Sequence, residues 1–257
     1  MLVISGAGIS TASGIPDYRD KNGEWKRNTP IYHQDFITSH QVRQRYWARS
    51  LLGWRYFGKA KPNTGHSVLA QLEQKGLINS IITQNVDQLH QRAGSQCVID
   101  LHGRIGELKC LSCDARLTRE EFQEPLAAHN PHYSKLAAEI APDGDADLNL
   151  DNFDDFNVPV CTRCGGTIMP DVVFYGGSVP KTRVEHAMRM LDQANALLVI
   201  GSSLMVYSSY RFCVAANQAQ IPIGAINIGV TRADHLLEFK IEQPCDTALQ
   251  RLVDALP

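Results

Sequence analysis

The sequence predicts an α/β fold: a doubly wound, Rossmann-like parallel sheet with a small inserted zinc-ribbon domain. Short apolar runs rich in β-branched residues alternate with helical patterns, as expected for parallel strands buried on both faces. Polar residues directly follow several of these runs, which is where such sheets bind ligands. Two Cys-x-x-Cys pairs lie in a stretch, from Cys110 to about Met169, that breaks the alternation.

These patterns also predict the domain organisation. Residues 1–105 and 170–257 form the large sheet domain, residues 106–169 form the zinc-binding domain, and a second small helical part lies around residues 20–60. The acidic segment 143–155 is expected to be a poorly ordered, solvated loop. The alternative is that this segment selects basic substrates or gates a cleft.

Five apolar runs supply the predicted strands, at residues 2–5, 78–83, 97–101, 196–200 and 223–228. Helices are predicted between and after them. Ser39 caps a helix that runs to about residue 57, and Thr64 caps one that runs to about residue 75. Two more helices are predicted at 181–193 and 246–255.

Composition narrows the class of protein. The 257 residues are 44% hydrophobic and 20% charged, which is ordinary for a globular protein, and the net charge of −2 gives no bulk reason to expect nucleic-acid binding. No apolar run approaches the ~20 residues that span a bilayer, and the first residues do not resemble a signal peptide. We therefore expect a cytoplasmic protein with no membrane partner, whose seven cysteines form no structural disulfides.

Four cysteines form the predicted metal site: Cys110, Cys113, Cys161 and Cys164. Each Cys-x-x-Cys turn presents two thiolates on one side of a tight knuckle, and two knuckles complete a tetrahedral zinc site. Such a closed site is structural, because it leaves no open coordination position. A redox pair or four unlinked thiols are the alternatives, but a redox pair should open a helix after a strand, and neither pair does.

A glycine turn follows the first predicted strand. Gly6-Ala7-Gly8 allows a sharp turn and the close approach of a pyrophosphate to backbone, although Thr11 occupies the third glycine position of the dinucleotide fingerprint. By itself this turn is equally compatible with an ordinary tight strand-to-helix connection.

Further polar residues repeat the same placement. A turn at Gly14 leads to an acid, an aromatic ring and a cation at Asp17, Tyr18 and Arg19. Asn85 and Asp87 follow the second strand, and Asn and Asp side chains can pair with a carboxamide. Taken singly, such residues are more often helix caps or turn residues. Their recurrence after successive strands indicates a ligand site, which extends to Ser202, Ser203 and Asn227.

His102 is the candidate general base, because it ends a predicted strand at the ligand edge and is followed by glycine. A hydrogen-bonded structural histidine is the alternative. His66 and His90 lie inside predicted helices, so we expect structural roles for both.

These motifs together resemble the sirtuin family. The likeness spans most of the chain in the family's order, through GAGIS (6–10), GIPDYR (14–19), TQNVD (83–87), LHG (101–103), both cysteine pairs, MPDVVFYGG (169–177), GSSLMVYS (201–208) and NIGVTRAD (227–234). It is most similar to class II, through RYWARSLLGW (45–54), YSSYRF (207–212) and the long segment between the cysteine pairs.

The resemblance implies an NAD-dependent protein-lysine deacylase with one structural zinc ion, whose acyl-lysine peptide enters between a large NAD-binding domain and a small zinc domain. The acyl oxygen attacks the nicotinamide ribose, nicotinamide leaves, and His102 takes a proton from the ribose before O-acyl-ADP-ribose is released. Asn85 is implied as a second catalytic residue, and Val173 and Phe174 as the strand that pairs with the peptide. The implied NAD-binding residues are Gly6, Ala7, Gly8, Ile15, Asp17, Tyr18, Arg19, Gln84, Asn85, Asp87, Gly201, Ser202, Ser203, Asn227, Ile228, Gly229 and Cys245.

Acyl selectivity is predicted from Tyr46 and Arg49, which stand three residues apart and share a helix face. They resemble a Tyr-x-x-Arg pair by which another sirtuin class binds acidic acyl groups, so Arg49 is expected to meet an acyl carboxylate. The alternative is that Arg49 lies on a solvated face.

Two other functions stay open at this stage. One is protein mono-ADP-ribosyl transfer from the same NAD site, and the other is a non-catalytic, zinc-stabilised binding module. A binding module would not require His102, Asn85 and Asp87, which are all present. We expect acyl-lysine proteins or peptides as partners and a monomeric state.

Overall fold

The computed structural model describes residues 1–26, 30–136, 139–140, 146–147 and 152–255. The strands, in chain order, are β1 (Leu2–Ser5), β2 (Ser80–Thr83), β3 (Val98–Asp100), β4 (Gly103–Cys110), β5 (Arg116–Thr118), β6 (Glu139–Ile140), β7 (Ala146–Asp147), β8 (Ile168–Val172), β9 (Leu197–Ile200), β10 (Ile223–Ile226) and β11 (Phe239–Ile241). The α-helices are α1 (His33–Thr38), α2 (His40–Phe57), α3 (Thr64–Gln74), α4 (Leu89–Arg92), α5 (Arg119–His129), α6 (Lys181–Asp192), α7 (Tyr207–Gln218) and α8 (Cys245–Asp254).

The chain divides into two compact units. The first comprises Met1–Asn28, Lys61–His102 and Val179–Pro257, and the second comprises Thr29–Ala60 and Gly103–Ser178. The residues around 20–60 that the sequence assigns to a separate helical part supply α1 and α2 of the second unit. Residues 143–145 and 148–151 of the acidic segment lie outside the described residues.

The first unit is built on a six-stranded sheet in the order β11-β10-β9-β1-β2-β3, and all neighbouring strands are parallel. The central strand β1 is fully buried, and Ile4 lies beside Ile82 on one side and Val199 on the other. The strand order reverses next to β1, which makes the β1–β9 edge the topological switch point of a doubly wound sheet. The predicted fold class is confirmed.

Helix caps agree with the prediction at one helix and correct it at another. The Ser39 hydroxyl accepts a hydrogen bond from the Val42 amide at 3.3 Å and caps α2, as predicted. The predicted cap at Thr64 is wrong, because Asn63 takes this position in α3. The Asn63 side-chain oxygen accepts from the Gly65 amide at 2.9 Å, and His66 Nδ1 accepts from the Asn63 amide at 3.3 Å.

The second unit contains a three-stranded antiparallel sheet in the order β5-β4-β8. Its core is rich in aromatic side chains, with Phe36 and Trp47 fully buried and Phe122 nearly so. Helix α2 packs against α5 and against strands β6 and β7, which pair in antiparallel fashion. This arrangement of a small antiparallel sheet around cysteine turns is the zinc-ribbon module that the sequence predicts.

Candidate active site and zinc site

The turns after β1 and β9 are in backbone contact at the switch point. The Gly6 amide donates to the Ile200 carbonyl at 3.0 Å, and the Gly8 amide donates to the Gly201 carbonyl at 2.8 Å. A Cβ atom on Gly8 would lie 2.8 Å from Gly201 Cα, and one on Gly6 would lie 2.7 Å from Ser202 Cβ. The two glycines are therefore required by this close approach of backbone to backbone.

A polar network joins the residues after β1 and β2. Asn85 donates from Nδ2 to the Gly6 carbonyl at 3.1 Å and to Ser10 Oγ at 3.0 Å, and Ser10 in turn donates to Asp87 at 2.7 Å. Burial raises the pKa of Asp87, and hydrogen bonds from the Leu89 amide and Ser10 oppose this rise. The predicted residues Asn85 and Asp87 thus lie in one hydrogen-bonded cluster beside the glycine turn.

Gln84 extends this network to the elements that follow β9. Its Nε2 donates to Ser202 Oγ at 2.6 Å, and its Oε1 accepts from Ser209 Oγ at 3.0 Å. The Leu204 amide also donates to Ser202 Oγ, at 3.1 Å. The polar residues that follow three parallel strands are therefore held together at one edge of the sheet, as their positions in the sequence predict.

His102 follows β3 at this same edge, and both of its ring nitrogens have partners. Nδ1 lies 3.1 Å from the Gln84 carbonyl oxygen, and Nε2 lies 2.8 Å from Ser208 Oγ. The residue as a whole is partly exposed, but the surrounding protein desolvates the ring and lowers the pKa of His102 to about 4. The Gln84 hydrogen bond opposes this shift and the charge of Arg183 adds to it. The ring is therefore neutral at pH 7, as a general base requires.

The loop that carries Asp17, Tyr18 and Arg19 makes its contacts within itself. Asp17 pairs with Lys26 at 2.5 Å, and Arg19 donates to the Gly23 carbonyl at 2.7 Å. The Arg19 guanidinium also lies 4.1 Å from the centre of the Trp25 ring. The structure thus places the acid, ring and cation in one loop of the first unit and engages both charges locally.

The residues predicted for the adenosine end follow β9 and β10. Asn227 is buried, and its side-chain Nδ2 donates to the Ile228 and Gly229 carbonyls, both at 3.1 Å. This is the turn-stabilising role that the sequence leaves open for Asn227. Cys245 is buried as the first residue of α8.

His66 and His90 are buried in α3 and α4, and their ring centres are 4.9 Å apart. Burial lowers the pKa of His66 to about 4, and burial together with the nearby His66 lowers the pKa of His90 to about 3. Both histidines are therefore neutral at pH 7.

Two residues of the site, Ser10 and Ser208, are not predicted individually from the sequence. Ser10 stands within the GAGIS motif and Ser208 within the GSSLMVYS motif.

In the second unit, the predicted substrate residues gather around an aromatic cluster. Phe174, just after β8, lies 5.4 Å from Tyr46 and 5.1 Å from Phe36, measured between ring centres. Val173 lies between the end of β8 and Phe174, and Arg49, one turn after Tyr46 on α2, is half-buried. The role of Arg49 in acyl binding stays a prediction.

The four predicted cysteines converge in the second unit, with all four sulfur atoms within 4.8 Å of one another. Cys110 Sγ is 3.5 Å from Cys164 Sγ, and Cys113 Sγ is 3.8 Å from Cys161 Sγ. Four Zn–S bonds of ~2.3 Å in a tetrahedron require sulfur–sulfur distances of about 3.8 Å. The donor set and its spacing therefore fit one structural zinc ion.

The tight turn at the second cysteine pair requires the two glycines that follow it. Gly165 has a φ of +73°, and a Cβ atom on Gly166 would lie 2.9 Å from Cys110 Sγ. The Ser112 amide donates to Cys110 Sγ at 3.4 Å, and this bond lowers the pKa of the Cys110 thiol. Backbone amides that stabilise thiolate are typical of metal knuckles.

No helix among the described residues has the length and apolar character needed to cross a membrane.

The chain is similar in sequence to known NAD-dependent protein deacetylases. The Sir2 family model matches residues 6–208. An NAD-dependent protein deacetylase of Bordetella bronchiseptica is 53% identical over 98% of this chain and 92% of its own length. One from Xanthomonas campestris is 56% identical over 97% of this chain and 85% of its own length.

The NAD-dependent protein deacylase Sirt4 of Drosophila melanogaster is 44% identical over 99% of this chain and 82% of its own length, in agreement with the predicted likeness to class II. A solved structure described as Sir2 with a p53 peptide and NAD⁺ has a TM-score of 0.80 at 32% identity, over 98% of this chain and 91% of that one. These matches cover nearly the whole chain and the residues of both sites, and the chain belongs to the Sir2 family of NAD-dependent protein deacylases.

Proposed function

We propose that this protein removes acyl groups from lysine side chains in an NAD-dependent reaction, with His102 as the general base. The observation that carries the proposal is the His102 ring, which is neutral at pH 7 and is held by the Gln84 carbonyl at the edge of the sheet where a nucleotide binds. Relatives named NAD-dependent protein deacetylase, at 53% and 56% identity, support the same reaction.

NAD supplies a ribose carbon whose bond to nicotinamide breaks during acyl transfer. We assign the glycine turn at residues 6–8 and the backbone around Gly201 to its phosphates, since both lie at the switch point. Asn85 and Asp87 are assigned to the nicotinamide carboxamide. The network through Ser10 holds both side chains in one orientation, which is the preorganisation that such a site needs.

The role of His102 follows from its hydrogen bonds. A carbonyl oxygen only accepts, so Nδ1 carries the proton and Nε2 is the basic nitrogen of the neutral ring. Nε2 takes the proton from the reacting ribose hydroxyl, and the Gln84 carbonyl stabilises the imidazolium that forms. Asn85 is assigned a supporting catalytic role at the same edge.

Acyl-lysine binding is assigned to the second unit. Val173 and Phe174 would pair with the substrate backbone, and the Phe174 and Tyr46 rings would line an apolar path for the acyl chain. Two Sir2 structures that this chain resembles are described as bound to acetylated and propionylated peptides, at 31% identity each.

Arg49 is assigned to acidic acyl groups. It is half-buried on the helix that carries Tyr46, and a half-buried guanidinium attracts a carboxylate more strongly than an exposed one. Arg49→Met should lower kcat/KM for glutaryl- and succinyl-lysine peptides by about tenfold or more and leave the acetyl peptide near the wild-type value. Arg45→Met is the matched control, because Arg45 is exposed on the same helix. Equal loss on acetyl and acidic peptides, or no loss at all, contradicts the assignment.

The reaction is tested by its products. Zinc-loaded protein, NAD and an acyl-lysine peptide should yield free lysine peptide, nicotinamide and O-acyl-ADP-ribose in equal amounts. ADP-ribose that stays attached to protein would indicate the transferase reaction instead. A cytoplasmic location, a monomeric state and the absence of nucleic-acid partners remain predictions, and light scattering on the purified protein tests the second of these.

A further inference from the structure

The first turn of α7 brings a hydroxyl group to the basic nitrogen of His102. We propose that Ser208 is a proton relay for His102, through which the proton of the ribose hydroxyl reaches Nε2. This inference rests on the proposed function, in which His102 is the base. It adds a residue that the motifs alone do not assign.

The hydrogen-bond directions support a relay. Because the Gln84 carbonyl fixes the proton on Nδ1, Nε2 of the neutral ring only accepts, and Ser208 Oγ at 2.8 Å is its donor. In the free protein, the lone pair that must take the substrate proton therefore already points at the Ser208 hydroxyl. A proton reaches it either through Ser208 or after Ser208 has turned away.

A serine hydroxyl suits the first route because it donates and accepts at once. The Ser208 proton moves to Nε2 while its Oγ takes the proton of the ribose hydroxyl. One O–H bond breaks at the ribose and one N–H bond forms at His102, and the serine is regenerated. The imidazolium then donates Nε2–H back to the same oxygen, so Ser208 satisfies both protonation states of the ring.

The residues around Ser208 have other hydrogen-bond partners, and Ser208 Oγ bonds to His102. The next hydroxyl, Ser209, donates to Gln84 Oε1 at 3.0 Å and lies 3.1 Å from the Val206 carbonyl, so it is engaged elsewhere. The helix is anchored below by Phe212 and Cys213, which are fully buried. Ser208 itself is only partly buried, as is required of a residue that a substrate hydroxyl must reach.

The first test needs no ligand. Long-range ¹H–¹⁵N NMR of the zinc-loaded protein should show His102 with the proton on Nδ1 and a hydrogen-bonded, unprotonated Nε2. Ser208→Ala should shift the Nε2 resonance toward that of a free acceptor, Ser208→Thr should restore it, and the matched Ser209→Ala should leave it unchanged. A proton on Nε2 in the wild type, or no shift in Ser208→Ala, overturns the proposal.

The second test separates the relay from a structural role. Nicotinamide exchange into NAD precedes the step that needs the base, so Ser208→Ala should retain peptide-dependent exchange and lose deacylated product by on the order of ten- to a hundredfold. Ser208→Thr should recover most of this loss. Equal loss of exchange and product, or product formation as fast as in the wild type, overturns the relay. If His102→Ala also forms product at the wild-type rate, the proposed function fails, and not the relay alone.

Discussion

The buried pair His66 and His90 should make this protein lose stability in mild acid. His66 Nδ1 accepts the Asn63 amide that caps α3, so a proton on this nitrogen would break the capping bond. His90 is held through its other ring nitrogen, Nε2, which donates. Ser5 Oγ donates to Thr83, so it accepts from His90 Nε2 and leaves Nδ1 buried without a partner among the described residues. Both rings therefore fit only in their neutral form.

The magnitude follows from the pKa. Burial lowers the pKa of His66 from 6.5 to about 4, so the folded state binds fewer protons than the unfolded chain between these values. The associated stability is complete above pH 6.5, decreases as the pH falls, and is fully lost below about 4. This loss amounts to about 3 kcal/mol for His66 alone. His90 and His102 act in the same direction, and the total stability of a domain is only about 5–15 kcal/mol.

Urea denaturation followed by circular dichroism at pH 8, 7, 6 and 5 measures this loss. His66→Gln should reduce the decrease between pH 7 and 5, because glutamine at the third helical position can still accept the cap amide but does not titrate here. His129→Gln, at an exposed position on α5, is the matched control and should keep the wild-type decrease. The reasoning is refuted if the decrease in His66→Gln equals that of the wild type.

Three further predictions concern the switch point, the zinc site and the base. Gly8→Ala should lower the free energy of unfolding, measured in urea, by about 1–3 kcal/mol, because its Cβ would lie 2.8 Å from Gly201 Cα. The control Gly76→Ala meets no atom within 4 Å and should lower it less, despite its φ of +72°. Equal losses in the two variants would contradict the close packing. Cys113→Ser or chelation of zinc should lower the melting temperature of the second unit, seen by fluorescence of Trp47 and Trp54, and an unchanged melt would contradict a structural metal. In the pH profile of kcat, the decrease on the acid side should lie below pH 6.5, because the lowered pKa keeps His102 unprotonated down to about pH 4. A decrease that begins above pH 7 would contradict the desolvated environment of His102.

The sequence predicts the sheet and the metal site well because each depends on local signals. Buried parallel strands are continuous apolar runs, and β1 and β9 appear as such in the printed sequence. The cysteine knuckles depend on fixed spacing within a few residues. The cap of α3 was misassigned because Asn63 and Thr64 are both good cap residues, and the choice depends on distant partners. Asn63 also donates to the Ile9 carbonyl at 2.7 Å, a contact that no local pattern reveals.

The network around the base was less predictable for the same reason. Ser208 contacts His102 from 106 residues away in the sequence, and Ser10 contacts Asn85 from 75 residues away. The parallel register of the sheet brings the segments that carry them to one edge. Gly103 illustrates the opposite error. In the sequence its position next to His102 favours a functional histidine, but its φ is +86° and a Cβ would lie 2.0 Å from the Asp171 carbonyl oxygen, so strand packing requires this glycine.

The central claim is that His102 is the base of an NAD-dependent deacylase. Mass spectrometry of an acyl-lysine peptide incubated with NAD and zinc-loaded protein tests it most directly, with His102→Ala compared against the exposed control His129→Ala. The account predicts NAD-dependent deacylation by the wild type and the control, and a loss of about a hundredfold or more in His102→Ala. Deacylation by His102→Ala at the control rate would contradict it.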